Sequence, residues 1–428
     1  MSSSTSKSVA NTDANANGDA SEMLGRLRHI PLSYECENPD SARTLVLSLR
    51  PEWADPDCHL EFVPFKDGIT NTLLKAINRR KDWSQEKIDE EAILLRAYGH
   101  GTDVLIDRHR ETQNHELLMN NGLAPELLAH FNNGLLYRFI RGTATQPAEL
   151  RAPTIYLAVA RRLAQWHATV PCIYEADSVT DNVAEKGSVN GTTNGLHAQS
   201  IEHAAPGKPH PNIWTVMQKW ILALPTKTEE QRTRQATLQQ ELSKLIAELS
   251  QRPGLGENGL VFAHCDLLSG NIIVEPQDSN GAKDVDSSRT EVSFIDYEYA
   301  TPSPAAFDIA NHFAEWGGFD CDFSVLPTRA QRLEFIREYI QSYFSLLPKH
   351  KRPESIDEEA ETQKLLAEVD IFRGVPGFYW GIWALIQATI SHIDFDYAQY
   401  AEIRLGEYYG WREGTKSSIR EKRWAQLE

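Results

Sequence analysis

The apolar residues of this chain change their period part of the way along it. Near the start they fall in short β-rich runs: "LEFVPF" at 60–65, "EAILLRAYG" at 91–99 and "TDVLIDR" at 102–108, with "DGITNTLLKA" at 67–76 between the first two. A helical pattern at 110–122 follows, and "NNGLLYRFIRG" at 132–142 returns to strand. Beyond it the spacing is mostly i, i+3, i+4, in 154–168, 213–224, 235–251, 329–347 and the tryptophan-rich 375–393. The pattern predicts an α+β protein with a small β-rich N-terminal lobe and a large, mainly helical C-terminal lobe. Ligands tend to bind in the cleft between such lobes.

Polar stretches punctuate that outline. Residues 1–22 carry no apolar periodicity and predict a disordered tail. The lobes are then expected at 23–140 and 141–428. The stretches 174–211 and 277–290 are rich in small polar residues and predict surface insertions. The second lies between "NIIV" and "VSFI", so it predicts a β-hairpin with an extended tip.

Composition narrows the function. The chain has 428 residues, 41% of them hydrophobic, with ten tryptophans, which is enough for a substantial core. Its 43 basic and 60 acidic side chains leave a net charge of −17, which argues against a nucleic-acid or anionic-membrane partner and suits a cationic substrate. None of the five cysteines is in C-x-x-C spacing, so neither a disulfide framework nor a zinc ribbon is expected. No secretory pattern opens the chain, and Gln387, Ser391 and His392 make 375–393 a core helix rather than a membrane span. A cytoplasmic protein is expected.

Two nucleotide motifs are excluded. "GLGENG" at 254–259 fits G-x-G-x-x-G, but it follows a helical pattern and precedes a strand, the reverse of a dinucleotide site. No G-x-x-x-x-G-K-[ST] loop occurs.

The stretch "VFAHCDLLSGNIIV" at 261–274 places His264, Asp266 and Asn271 in the spacing H-x-D-x-x-x-x-N, a kinase catalytic-loop pattern. Its Asp can sit where an alcohol proton leaves, and its Asn can reach a metal on the ATP phosphates. Asn271 begins a strand whose hairpin partner, "VSFIDYEYA", runs into Asp296. Asp and Asn oxygens are the hard ligands that Mg²⁺ prefers. A bland alternative has Asp266 capping a turn and Asp296 closing a hairpin.

"HCDLLSGN", "FIDYEYA", "FDIANHFAEW" and "FYWGIWALIQA" resemble the choline/ethanolamine kinase family, a branch of the protein-kinase-like fold. The resemblance covers roughly 63–168 and 212–411. It implies ATP and Mg²⁺ as cofactors, Asp266 as the base that orients the substrate hydroxyl, Asn271 and Asp296 as metal ligands, and His264 as a brace for the loop. "KDGITN" resembles the phosphate-covering turn, with Gly68, Thr70 and Asn71. Arg96 stands in place of the phosphate-pairing lysine, Glu111 matches its ion-pair partner, and Phe139 and Ile140 fall where the adenine-reading hinge is expected. For the substrate, the resemblance makes Glu315 the carboxylate that faces a cation. Trp380, Trp383 and Tyr400 match an aromatic wall, and Asp308 a support for the loop. Asp308 and Glu315, at i and i+7, are expected on one side of a helix.

The implied reaction is ATP-dependent phosphorylation of a small amino alcohol, the first step of the route through CDP-ethanolamine to phosphatidylethanolamine. "DGITN", Leu267-Leu268 and "FNNGLLYRFI" resemble the ethanolamine branch. Choline, or both alcohols, is the alternative substrate, and a nucleotide-binding scaffold without catalysis is the rival of another class. A homodimer is the assembly considered.

Overall fold

The structure, a computed structural model, describes residues 27–65, 71–99, 101–174, 205–276, 290–391, 393–414 and 418–428. The polar tail, Gly68 and Thr70 of the expected phosphate turn, and most of both expected insertions lie outside these residues. Contacts divide the chain into two compact units.

The first unit comprises 27–65, 72–97 and 126–138 of the described residues. Its sheet holds β1 (His29–Ile30), β2 (His59–Pro64), β3 (Asn71–Arg79), β4 (Ile93–Tyr98), β5 (Leu127–Phe131) and β6 (Gly134–Arg138), in the order β1-β5-β6-β4-β3-β2. The β4–β6 pairing sets Arg96 opposite Leu135. It needs glycine at 134, where a Cβ would stand 2.1 Å from the Arg96 carbonyl oxygen. Helix α1 (Pro39–Leu49) starts at Asn38, whose side chain accepts from the Asp40 amide, with proline in its first turn. It buries Leu45 and Val46 with Trp53, Ile93, Leu95, Phe131 and Leu136. A short helix, α2 (Gln85–Glu91), precedes β4.

The second unit holds Asn71 with the described residues of 98–125 and 139–428. The stretch "TDVLIDR", expected as strand, is instead a 3-10 turn at Thr102–Val104 that leads into α3 (Arg108–Asn120). Gly101 turns the chain at φ +75°, the Thr102 hydroxyl donates to the Gly99 carbonyl, and Leu105 and Ile106 enter the helical core. Asp107 then accepts from the Arg110 amide as the α3 cap. The apolar run there marks burial, not β period.

The other helices are α4 (Pro153–Thr169), α5 (Ile213–Ala223), α6 (Glu229–Leu249), α7 (Ala305–Ala314), α8 (Arg329–Leu346), α9 (Glu358–Phe372), α10 (Val375–Ile390), α11 (Tyr397–Arg412) and α12 (Ile419–Trp424). Reciprocal capping boxes start α5 at Asn212/Thr215 and α8 at Thr328/Gln331. Short strands β7 (Thr143–Ala144), β8 (Val261–Ala263), β9 (Ile272–Val274), β10 (Val292–Phe294) and β11 (Thr301–Ser303) form the ladders β10-β9-β7 and β11-β8. The expected hairpin is the antiparallel β9–β10 pair, with Ile272 opposite Phe294.

Trp166 of α4 is fully buried and packs on Phe262, His264 and Phe294, fixing the strands on each side of the "HCD" loop. Helices α10 and α11 approach closely because Gly377 and Gly381 face α11. A Cβ at 377 would stand 2.6 Å from the Arg404 carbonyl oxygen. Among the described residues no helix is long and apolar enough to cross a membrane.

Candidate active site

The loop from His264 to Asn271 leaves β8 and enters β9 through a 3-10 turn at Ser269–Asn271. Its backbone is unusual, with Cys265 at φ +63°, and it is gripped from below by α7. Asp308 accepts from the His264 amide at 2.9 Å and the Cys265 amide at 2.8 Å. Asn311 donates to the Cys265 carbonyl at 2.9 Å, and His312 Nδ1 bonds the Leu267 carbonyl at 2.9 Å. These are positions i, i+3 and i+4 of one helix, so a single face supplies every contact.

Asp308 is fully buried, and burial alone would raise its pKa. Hydrogen bonds from His167 at 3.0 Å and from the loop amides, with the nearby imidazoles, outweigh that cost and hold it below the usual carboxylate range. His264 is also fully buried. Burial lowers its pKa to about 4, so it is neutral, and its two nitrogens divide the work. Nε2 donates to the Ile295 carbonyl at 3.0 Å, and Nδ1 faces the Asp266 amide at 3.3 Å. Cys265 stays a thiol, because burial pushes its pKa well up.

Asp266 faces different company. Asn271 donates to both its backbone carbonyl and its side chain, at 2.8 and 3.2 Å. Only 7% of Asp266 is exposed. Burial raises its pKa well above normal, and Asp296, Glu315 and Glu298 raise it further. Asp296 follows β10 at φ +65°, a left-handed backbone that aspartate tolerates better than most residues, while the Asn271 carbonyl holds the Ile295 amide beside it. A cluster of like charges that repel one another is a place for a cation.

The residues fit Mg²⁺ on that ground. Asp266, Asp296 and the Asn271 side-chain oxygen offer hard oxygen atoms. No group of three or more His, Cys, Asp or Glu side chains among the described residues could hold a metal by itself. Mg²⁺ is ordinarily bound by one or two carboxylates together with waters and substrate phosphates.

Glu298 was not singled out from the sequence. It alternates with Asp296 in "DYEYA", and that i, i+2 spacing was the available signal. Its carboxylate takes the Asn71 amide at 2.9 Å and Arg108 at 3.4 Å, while Arg108 also reaches Glu111 at 2.9 Å. The Tyr98 ring lies 4.2 Å from the Arg108 guanidinium carbon. Asn71 and Glu111 are thus brought to "DYEYA". Arg96 is buried on β4, in the other unit, and Phe139 and Ile140 are half-buried after β6.

The aromatic residues form a second group. Trp380 and Trp383 meet edge to face, with centroids 5.5 Å apart. Trp380 donates to Asn311 and Trp383 to the Tyr299 hydroxyl, each at 2.8 Å, which fixes both rings. Tyr299 packs on Trp380 at 5.8 Å and is a further site residue that sequence reasoning missed.

The α helix ends at Ala314, and Glu315 opens a 3-10 turn, Glu315–Gly317. There it accepts from Arg404 at 2.9 Å, one helical turn after Tyr400, whose ring stands 5.6 Å from the guanidinium. Both members of this ion pair are buried.

Comparisons with known proteins identify the family. The model of the choline/ethanolamine kinase family matches residues 62–409. Ethanolamine kinase 1 of Mus musculus is 32% identical over 86% of this chain and 88% of its own length. Ethanolamine kinase 1 of Homo sapiens is 31% identical over 86% of this chain and 71% of its own. The solved structure of an ethanolamine kinase from Plasmodium vivax superposes with a TM-score of 0.63 at 23% identity, over 94% of this chain and 95% of that one. The chain belongs to the choline/ethanolamine kinase family, and its fold is protein-kinase-like.

Proposed function

We propose that this kinase transfers the γ-phosphoryl group of ATP to the hydroxyl of ethanolamine. The observation that carries the reading is the carboxylate group of Asp266, Glu298 and Glu315, all buried, with the half-buried Asp296, in which the other three raise the pKa of Asp266. Such a group favours an ammonium substrate and a phosphate-bound cation in one place. The ethanolamine kinases at 31–32% identity support ethanolamine as the alcohol.

In this reading the hydroxyl oxygen bonds to the γ-phosphorus, the bond to the β–γ bridging oxygen breaks, and ADP leaves. The hydroxyl proton passes to the Asp266 carboxylate. Asp266 also orients the nucleophile, so most of the rate enhancement comes from positioning. Asn271 and Asp296 would hold Mg²⁺, which offsets the carboxylate repulsion and neutralises charge on the transferred group. His264 braces the loop through Ile295. Gly68, Thr70, Asn71 and Arg96 serve the phosphates, Glu111 supports them, and Phe139 and Ile140 serve the adenine. The substrate ammonium lies at Glu315, against Trp380, Trp383 and Tyr400.

An ATP-binding lobe at 23–140, a catalytic lobe at 141–428, a cytoplasmic location and a homodimer complete the proposal. Aromatic walls also suit a quaternary ammonium, so choline is the second substrate. The ratio of kcat/KM for ethanolamine to that for choline, with purified protein, tests the reading. A ratio below one would replace it with a choline kinase. No phosphotransfer to either alcohol despite Mg·ATP binding would favour a scaffold.

A further inference from the structure

Behind Glu315 lies a second buried carboxylate that the reaction does not use. Glu407 sits on α11, one turn beyond Arg404, and both are buried. Arg404 spends Nη2 on Glu315 at 2.9 Å, while its Nε and Nη1 are buried with no hydrogen-bond partner among the described residues. Oε1 of Glu407 is likewise buried without a partner, and Oε2 stands 3.6 Å from Arg420 Nε of α12. Buried donors on one side chain and a buried acceptor on its neighbour are each costly to leave unmet. The guanidinium thus bonds one carboxylate, Glu315, and lies within electrostatic reach of a second, Glu407, one turn on along its own helix.

We propose that Arg404 is a positioning residue shared by Glu315 and Glu407, and that the proton on Glu407 sets how strongly Glu315 holds the substrate ammonium. The proposal rests on the reading of Glu315 as the ammonium site. The groups facing Glu407 are Arg404 on its own helix, Arg420 on α12, and Glu315 on the turn after α7, with Cys321 and Tyr400 beside them. Helix α10 meets it with Gly377, which carries no charge. With both glutamates ionised, the two arginines and two carboxylates cancel. With Glu407 protonated, the cluster holds one surplus positive charge next to the ammonium site, and Arg404 is committed to Glu315. An incoming ammonium competes with Arg404 for Glu315, and an ionised Glu407 receives the displaced guanidinium. Linkage then requires substrate binding to release a proton from Glu407.

Burial pushes Glu407 up to about 7, against Arg404 and Arg420 and with Glu315, so the effect falls in the working pH range. The test is the KM for ethanolamine, at saturating Mg·ATP, from about pH 6 to about pH 8.5, where the alcohol stays an ammonium. KM should rise roughly three- to tenfold as pH falls through the Glu407 transition, while KM for ATP stays flat. Glu407→Gln should fix the high KM at every pH with kcat close to wild type. Arg404→Lys should restore part of the ethanolamine affinity lost in Arg404→Met. Calorimetry of wild-type protein in buffers of different ionisation heat should show proton release on ethanolamine binding near pH 7, absent from Glu407→Gln. A wild-type pH slope in Glu407→Gln, or no proton release by wild type, overturns the proposal. A wild-type ethanolamine KM in Glu315→Gln instead overturns the ammonium-site reading, and the proposal with it.

Discussion

The "HCD" loop adjoins two sets of polar groups that differ in the charges around them. On the α7 side, Asp308, Asn311 and His312 meet each loop amide or carbonyl they face, at 2.8–2.9 Å. On the carboxylate side, Asp266, Asp296, Glu298 and Glu315 crowd one another, and Asp266 is driven toward its protonated form. Satisfied networks rigidify a fold, whereas buried charges that repel are kept at sites for ligands. The first set is scaffold, and in the proposed reaction the second is the working face. The difference makes opposite predictions for stability and for turnover.

Substitution on the working face should give the largest effect. Asp266→Ala and Asp296→Ala should each lower kcat by roughly a thousandfold or more. Their melting temperatures should stay at or above wild type, because each change relieves like-charge repulsion. Near-normal turnover in Asp266→Ala would remove Asp266 from the mechanism, and a large fall in melting temperature would erase the distinction between the two sets.

On the scaffold, Asp308→Ala leaves two loop amides and His167 without their acceptor. It should cost about 3–5 kcal/mol in urea unfolding, with turnover falling as the loop loses its support. The sign of its pH dependence follows from the folded pKa lying below the unfolded one. That stability is fully present above the unfolded value, about 3.9, and is lost as pH falls through the folded value. The gap between wild type and Asp308→Asn should therefore be widest near neutrality and close in acid. A gap that widened on acidification would show Asp308 buried as the neutral acid.

Trp383→Phe sits between the sets, since it keeps an aromatic face but loses the bond to Tyr299. The KM for ethanolamine should rise roughly two- to fivefold with kcat nearly unchanged. An equal loss in kcat would move Trp383 from substrate binding to support of the loop. The smallest effect is expected far from both sets. Thr328→Ala removes the α8 cap and should cost about 1 kcal/mol with wild-type kinetics.

Legibility in the sequence followed the range of each interaction. The "HCDLLSGN" spacing, the β9–β10 hairpin and the helical periods are local, so the pattern along the chain carries them. "TDVLIDR" misled because a short apolar run marks burial in a turn as readily as in a strand. Glu298 and Tyr299 stood beside Asp296 in "DYEYA", but nothing in the string says that one meets Arg108 and the other Trp383.

By itself, then, the sequence determined the family, the spacing of His264, Asp266, Asn271 and Asp296, and a β-rich region followed by a mainly helical one. These depend on residue type at short spacing, which bond geometry converts directly into position. Tertiary structure alone decided that Asp308 is fully paired while Asp266 is crowded by other carboxylates, and that Arg404 is bonded to Glu315. Burial and charge pairing are properties of side chains far apart in the chain, and only packing brings them within reach of one another.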